Sequence, residues 1–551
     1  MKPTSRPINL AFGTLLLAAG VTYLGFGVDR MDFTSLFSSF LVAFGGYLLL
    51  VRKPDRGNMK LLVGLGIILR VALVFAFPLL SDDVYRFIWD GHLVAAGLNP
   101  FAELPAFYLE TGNAVPGLSQ ELFDKLNSPD YYTIYPPVAQ GVFTVAAWLS
   151  PGSWYGAAVV MKLFLLACEL GSLWVMWQLF KGVRGEKEEG KKGQSSTPFS
   201  LSFLFSFKGA GPQVQETVKE QGPSGQPDNP TPRHPDTPTP RKLENSTPRL
   251  LLYWLNPLIL VEIMGNLHFE GAMVFFLLLA YYLLQRSKWV AAGAAMAASV
   301  ASKLLPLMLL PLLIRRLVHS VKKSPLPKNT NAWAPPLRGR GAGGEVPREG
   351  RFLNREYLLS IIKSARPFWI FSFAFGVSCL LFFAPLLLSE GFLSGFSSSL
   401  ELYQKKFEFN ASLYYLARAY GYLDVGWNQI AVFGPLLART SAVGILLLAL
   451  LDRRSDWASL PVGWLWAFVL YLLCATTVHP WYLSVPIMLS CFTSWRFPLV
   501  WSFLIMLTYT NYLTEPYHEN LWLVAMEYLV VAGFAFWEWR RRSISGKMVI
   551  T

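Results

Sequence analysis

INLAFGTLLLAAGVTYLGFGVDRMDFTSLFSSFLVAFGGYLLLVRKPDR, residues 8–56, decides the architecture. Two apolar runs, 8–29 and 32–51, flank a short polar tip, and the basic VRKPDR (51–56) follows them. Each run is long enough to cross the hydrocarbon core of a bilayer as a helix. Two crossings return the chain to its starting side, and the Lys/Arg cluster marks that side as cytoplasmic. The opening MKPTSR is basic, but no clean A-x-A site follows. It reads as the start of an uncleaved first helix rather than a cleaved signal.

The composition agrees. Of 551 residues, 53% are hydrophobic and only 15% charged, whereas soluble domains carry about 25% charged residues. Such a chain cannot cover itself with polar surface in water, which excludes an ordinary soluble enzyme and a disordered protein. The formal net charge of +13 sits mainly between or after apolar stretches. It reads as positive-inside loops, with no nucleic-acid partner. Cys168, Cys379, Cys474 and Cys491 lie in apolar segments without CxxC or zinc spacing, so neither a disulfide framework nor a metal site is expected.

The reading is all-α: a polytopic bundle of roughly 12–14 membrane helices. Residues 1–180 hold membrane helices and a first outer loop, 81–131, which is rich in carboxylates and poor in Lys/Arg. Residues 136–150 amount to about 22 Å of helix, short of a span, and read as partly inserted. Residues 181–249 (PDNPTPRHPDTPTPR among them) and 318–367 (KKSPLPKNTNAWAPPLRGRGAGG) are dominated by Pro, Gly, Ser, Thr and charge. Both read as disordered cytoplasmic loops. Between them, 250–317 forms a hairpin bent at Gly265-Asn266, then two short crossings meeting near Lys303. Residues 368–551 complete the bundle around a second outer segment, 389–428.

Polar residues gather at three places. In SDDVYRFIWDGH, 81–92, a helix puts Asp83, Arg86 and Asp90 on one face, with Asp82 about 100° away. A partly desolvated aspartate here suits a general base, although Ser81 or Asp82 serves equally well as a plain helix cap beside the helix dipole. Asn266, His268 and Glu270 stand at the bend between two apolar helices, with Glu262 one turn earlier. They suit a phosphate, a sugar hydroxyl or a proton, or else a hydrogen-bonded helix break. His479 opens HPWY at the outer end of helix 458–478 and suits an anionic leaving group, while the aromatics beside it fit an interface belt. Lys405, Lys406 and Arg418 read as surface charges more readily than as ligands, with the Lys405/Lys406 pair also a candidate, beside Arg86, His268 and His479, to stabilise a departing anionic charge. There is no Walker A loop, GxGxxG, GxSxG or HExxH motif, so a group-transfer enzyme of this build takes its donor from the membrane.

The run Asp83-Val-Tyr-Arg-Phe, Gly91 and Gly97-Leu-Asn-Pro-Phe101 resembles the first outer loop of GT-C glycosyltransferases. It is most similar to that of bacterial polyprenol-phosphate-mannose-dependent mannosyltransferases. Tyr135-Pro-Pro137, Asn256-Pro257, the 266–271 bend, Ser302-Lys303 with Pro306, and His479-Pro-Trp-Tyr482 follow in the family's order. The resemblance implies a multi-pass inner (plasma) membrane enzyme, active on the periplasmic or extracytoplasmic face. It implies a polyprenyl-phosphate sugar donor, a glycolipid or glycan acceptor, and inversion at the anomeric carbon. It implies Asp83 as base, Asp82 as its alternative, and His479 as the family's histidine. Arg86, Asp90, Tyr135, Asn266, His268, Glu270 and Lys303 are the remaining candidates for substrate binding. No cofactor is called for, and no metal ligand set is evident, although a divalent ion is compatible with the group.

Two other classes share the build. A lipid-sugar flippase would spread charges through the membrane midplane in repeated helices. A polymerase or ligase with a lipid diphosphate donor would want several arginines in its large outer loop, where 389–428 holds only Arg418. The Lys/Arg pattern predicts a topology that labelling checks. In a background without native cysteines, Val115→Cys and Leu400→Cys react with an impermeant thiol reagent in intact cells, and Glu220→Cys does not. The reverse pattern would put the site on the wrong side for an extracytoplasmic donor.

Overall fold

A computed structural model describes residues 5–52, 56–188, 247–319, 365–514 and 517–544. Most of the two stretches expected to be unpacked, 181–249 and 318–367, lies outside these residues. The chain divides into a large unit, Met1–Gln178 with Thr247–Thr551, and a small one, Leu179–Ser246. The large unit carries the helical bundle.

The described residues form an all-helical, polytopic membrane protein without a β-strand; only an isolated bridge links Phe409 and Thr477. The first half comprises α1 (Ser5–Phe26), α2 (Phe33–Val51), α3 (Met59–Val74), α4 (Asp83–Ala95), the short α5 (Gln120–Phe123), α6 (Pro137–Leu149) and α7 (Trp154–Glu188). Later in the chain come α8 (Leu251–Trp254), a π-helix (Ile259–Gly265), α9 (Glu270–Gln285), α10 (Trp289–Ser302) and α11 (Pro311–His319). The last part holds α12 (Arg366–Leu387), α13 (Phe392–Lys405), α14 (Leu413–Val425), α15 (Ile430–Leu451) and α16 (Leu460–Cys474). It closes with α17 (Ser484–Phe492), α18 (Phe497–Leu504) and α19 (Leu521–Ile544).

Among the described residues, six helices are long and apolar enough to cross a membrane: α1, α2, α7, α12, α15 and α19. The π-helix and α9 are long and apolar enough only when taken together, and they are bent by 110° at the break between them. Five further apolar helical stretches, such as α6 and α10, are shorter, so a count of 12–14 is reached only when short helices are included.

Local chemistry sets the breaks. Asp32 caps α2 by accepting from Ser35 N at 3.1 Å. Residues 250–264 are not one helix, because Pro257 has no N–H to give and Asn256 turns its side chain onto Leu258 N at 3.0 Å. The π-helix follows, and Asn266 N closes it on Val261 O at 2.8 Å. Leu267 then takes a left-handed φ of 65°, a strained conformation for a branched side chain.

Buried charge braces the interior. Arg70 donates to Glu169 at 2.9 and 3.0 Å and to Trp254 O at 2.7 Å, with both charged side chains wholly buried. Tyr253 donates to the other oxygen of Glu169 at 2.7 Å. In lipid these groups have no water to turn to, so the pairing must be internal.

The segments 81–131 and 389–428 are joined. Asn99 donates to Glu390 O at 2.8 Å, and Phe101, fully buried, packs on Phe392 and Phe396. Ser399 donates to Tyr132 O at 2.9 Å. Below them α4 packs on α6, with Phe87 stacked on Phe143 at 4.5 Å between centroids. The contact closes at Gly91, where a Cβ would stand 2.4 Å from Phe143 O. Gly91→Ala therefore lowers stability by about 1–3 kcal/mol, the usual cost of overpacking. A thermal melt in detergent checks this, and an unchanged Tm would contradict the close approach.

Candidate functional site

Asp82 and Asp83 stand side by side at the start of α4 but point to different partners. Asp82 Oδ2 accepts from Arg30 at 2.7 Å and is the more exposed of the two. Arg30 comes from the tip of the α1–α2 hairpin and also lies 4.8 Å from the Tyr512 ring centroid. Asp83 turns inward: Oδ1 accepts from Asn127 at 2.7 Å, and Oδ2 lies 4.0 Å from His268 Nδ1. Its side chain is 21% exposed, enough to meet a substrate and little enough to be partly desolvated. Asp82 precedes α4 as its cap residue but makes no side-chain capping hydrogen bond.

The bend behind Asp83 supplies the next layer. His268 Nε2 lies 3.4 Å from Glu262 Oε2, without the alignment of a hydrogen bond. Glu262 is buried and accepts from Tyr509 at 2.7 Å. Trp481 stacks between two imidazoles, with its centroid 3.7 Å from His268 and 4.5 Å from His479. Burial, helped by Lys303 and His268 nearby, pushes the His479 pKa down to about 3. His479 is thus a neutral imidazole, able to offer an anion a dipole rather than a full charge. Lys303, at the end of α10 where the chain turns extended, brings a cation to both cavities. Its Nζ pairs with Glu270 and lies 5.0 Å from the Tyr482 ring centroid.

Two cavities meet here. One, of about 310 Å³, runs between helices along Leu305, Leu400, Ala438, Ser441 and Tyr471. His268 and Glu270 also line it. The other, of about 380 Å³, lies under the outer segments along Arg30, Asp82, Asn127, Tyr131, Glu408 and His479. Asp83, Tyr135, Lys303, Tyr403 and Tyr482 line both. A carboxylate and an ammonium thus face the junction of an apolar-walled space and a polar one.

Not every expected residue faces a cavity. Asp90 and Asn266 line neither. Asp90 is fully buried and accepts from Arg86 at 2.9 Å and Gln140 at 3.0 Å. Asn266 accepts from Leu80 N at 3.1 Å and so ties the bend to the approach to α4. Arg86 lines the second cavity, but its donors also hold Asp90 and the carbonyls of Ser128 and Tyr131 at 3.0 and 2.8 Å. It reads as a strut for the outer loop. Lys405 pairs with Glu401 and Arg418 with Glu408; neither Lys405 nor Lys406 lines a cavity. Sequence reading passed over Arg30, Asn127 and Tyr403. Arg30 carried a signal, as a charge at a hairpin tip between two spans, while Asn127 and Tyr403 reach the site only through tertiary packing. Among the described residues no group of three or more His, Cys, Asp or Glu is placed to hold a metal ion.

Residues 18–191 match the family model described as alpha-(1->6)-mannopyranosyltransferase, N-terminal domain. That region includes Asp82, Asp83, Arg86, Asp90 and Tyr135 and stops before His268, Lys303 and His479. No curated protein matches the chain. The matched domain and the membrane helices together make the protein a multi-pass membrane glycosyltransferase of the mannosyltransferase kind.

The strut reading of Arg86 has a measurable consequence. Arg86→Ala leaves Asp90 buried without its cation and costs about 3–5 kcal/mol. The variant shows a lowered Tm in detergent, and the folded fraction keeps a KM for the lipid donor close to the original. A stable variant with a sharply raised donor KM would make Arg86 a ligand instead.

Proposed function

We propose that this membrane mannosyltransferase moves a mannosyl group from a polyprenyl phosphate to a hydroxyl of a glycolipid or glycan acceptor. The transfer takes place on the extracytoplasmic face of the plasma (inner) membrane and inverts the anomeric carbon. The observation that carries this reading is the meeting of an apolar-walled cavity and a more polar one at Asp83 and Lys303.

In this reading the lipid-linked sugar enters by the apolar cavity and sets its phosphate toward Lys303. The acceptor lies in the polar cavity with a hydroxyl against Asp83. The Asp83 carboxylate takes the hydroxyl proton as the acceptor oxygen bonds to the anomeric carbon. The bond from that carbon to the phosphate oxygen breaks, and the polyprenyl phosphate leaves with one more negative charge. Lys303, held by Glu270, faces that developing charge, and a fixed cation in a water-poor site stabilises it well. Attack and departure on opposite sides of one carbon give inversion. Asn127 fixes the direction of the Asp83 carboxylate, and His268 stands beside its other oxygen.

Asp83→Asn keeps the shape and removes the proton acceptor. Turnover of a synthetic polyprenyl-phosphate mannose falls by about two to four orders of magnitude, the usual range for a general base. Asp82→Asn loses a partly exposed ion pair, worth at most about 1 kcal/mol, and keeps turnover within about threefold. An active Asp83→Asn enzyme would take this loop out of the chemistry, and loss in Asp82→Asn alone would shift the base to the neighbour.

A further inference from the structure

Lys162 stands in the third turn of α7 and is wholly buried. It lies outside the two cavities, and the proposed transfer does not use it. Its Nζ donates to Leu73 O at 3.1 Å, to Gly265 O at 2.6 Å and to Ala76 O. An ammonium has three donors, and here three main-chain carbonyls take them. The carbonyls belong to two places where a helix stops: Leu73 and Ala76 at the end of α3, and Gly265 at the end of the π-helix. Carbonyls at such ends lose helical partners and carry the negative end of the helix dipole; of the three, Leu73 O keeps one main-chain partner, Ala76 N at 3.2 Å. A cation among them answers both conditions. One helical face of α7 does this work, since Tyr155, seven residues earlier, donates to Phe75 O at 3.0 Å.

Both stapled ends lead into the site. From Ala76 the chain runs seven residues to Asp83, and from Gly265 it runs three residues to His268 and five to Glu270. Asn266 repeats the tie nearer the site by accepting from Leu80 N. Beyond these two ties the strained Leu267 and the 4.0 Å approach of Asp83 to His268 follow. We propose that Lys162 is a positioning residue for the transfer reaction, which through three carbonyls sets the base on one strand of chain against His268 and the Glu270–Lys303 pair on the other. The proposal rests on the reading of Asp83 as base. It accounts for a charge kept in the interior of a membrane helix, where it is costly and has a function by default.

The test uses full-length protein in detergent, a synthetic polyprenyl-phosphate mannose and an alkyl mannoside acceptor, with rates taken per folded molecule from size-exclusion chromatography. Lys162→Met removes the staple. Its kcat falls by about 10- to 100-fold, the cost of misplacing a reacting group by about 1 Å, while KM for donor and acceptor stays within about threefold. In an Asp83→Asn background the same change lowers the residual rate by clearly less than in the wild type, because only the Lys303 side of the site is left to misplace. An unchanged kcat, a raised KM with unchanged kcat, or an equal loss in the Asp83→Asn background would overturn the role. Lys162→Gln, which keeps an amide donor, is measured alongside. If neither variant yields folded protein, Lys162 is a folding residue and the proposal fails. An active Asp83→Asn enzyme would remove the base reading and this role with it. An inactive Asp83→Asn beside an unaffected Lys162→Met would remove this role alone.

Discussion

The π-helix and α9 meet at a 110° bend inside the bundle, and every main-chain group freed by that bend must find a partner within the protein. Lipid offers none. Lys162 meets that demand at Gly265 O, while Asn256 and Asn266 do the same at other breaks, accepting from Leu258 N and Leu80 N. The bend is also what turns His268 and Glu270 toward Asp83 and Lys303. One constraint, satisfaction of a broken backbone without water, therefore fixes both the interior of this unit and the geometry of its site.

The architecture was legible because crossing a membrane leaves a coarse signal. Long apolar runs closed by Lys/Arg mark the hairpin α1–α2, and a carboxylate-rich stretch after an apolar run marks the outer loop that opens α4. The finer divisions were hidden. Residues 250–264 read as one apolar run, yet Asn256-Pro257 breaks them into a short turn of helix and a π-helix. Within the site, the placement of Asp83 on one side of α4 and Asp82 on another follows from helical spacing alone. Their partners do not follow from it, because Arg30, Asn127 and His268 arrive from other parts of the chain.

Spacing places residues but not their partners. Arg86 and Asp90 share the helical face of Asp83, and a buried Arg and Asp four residues apart pair with one another. A different signal went unread. Arg70, Lys162 and Glu169 stand alone in apolar runs, and isolated charges there are costly enough to demand partners. Their identity as main-chain carbonyls at helix ends, for Lys162, cannot be read from residue types, since every residue carries the same carbonyl.

The polar cavity owes part of its wall to Arg30, which belongs to the α1–α2 hairpin rather than to the elements that bear Asp83, His268 or Lys303. In the proposed transfer, acceptor recognition and chemistry are thus carried by separable pieces of chain. A hairpin tip is a place where residues change without disturbing a packed interior. Divergence among chains of this build can accordingly retune which acceptor is admitted by rewriting a few positions near residue 30, while the transfer machinery stays untouched. Acceptor choice becomes an evolutionary variable and donor chemistry an inherited constant.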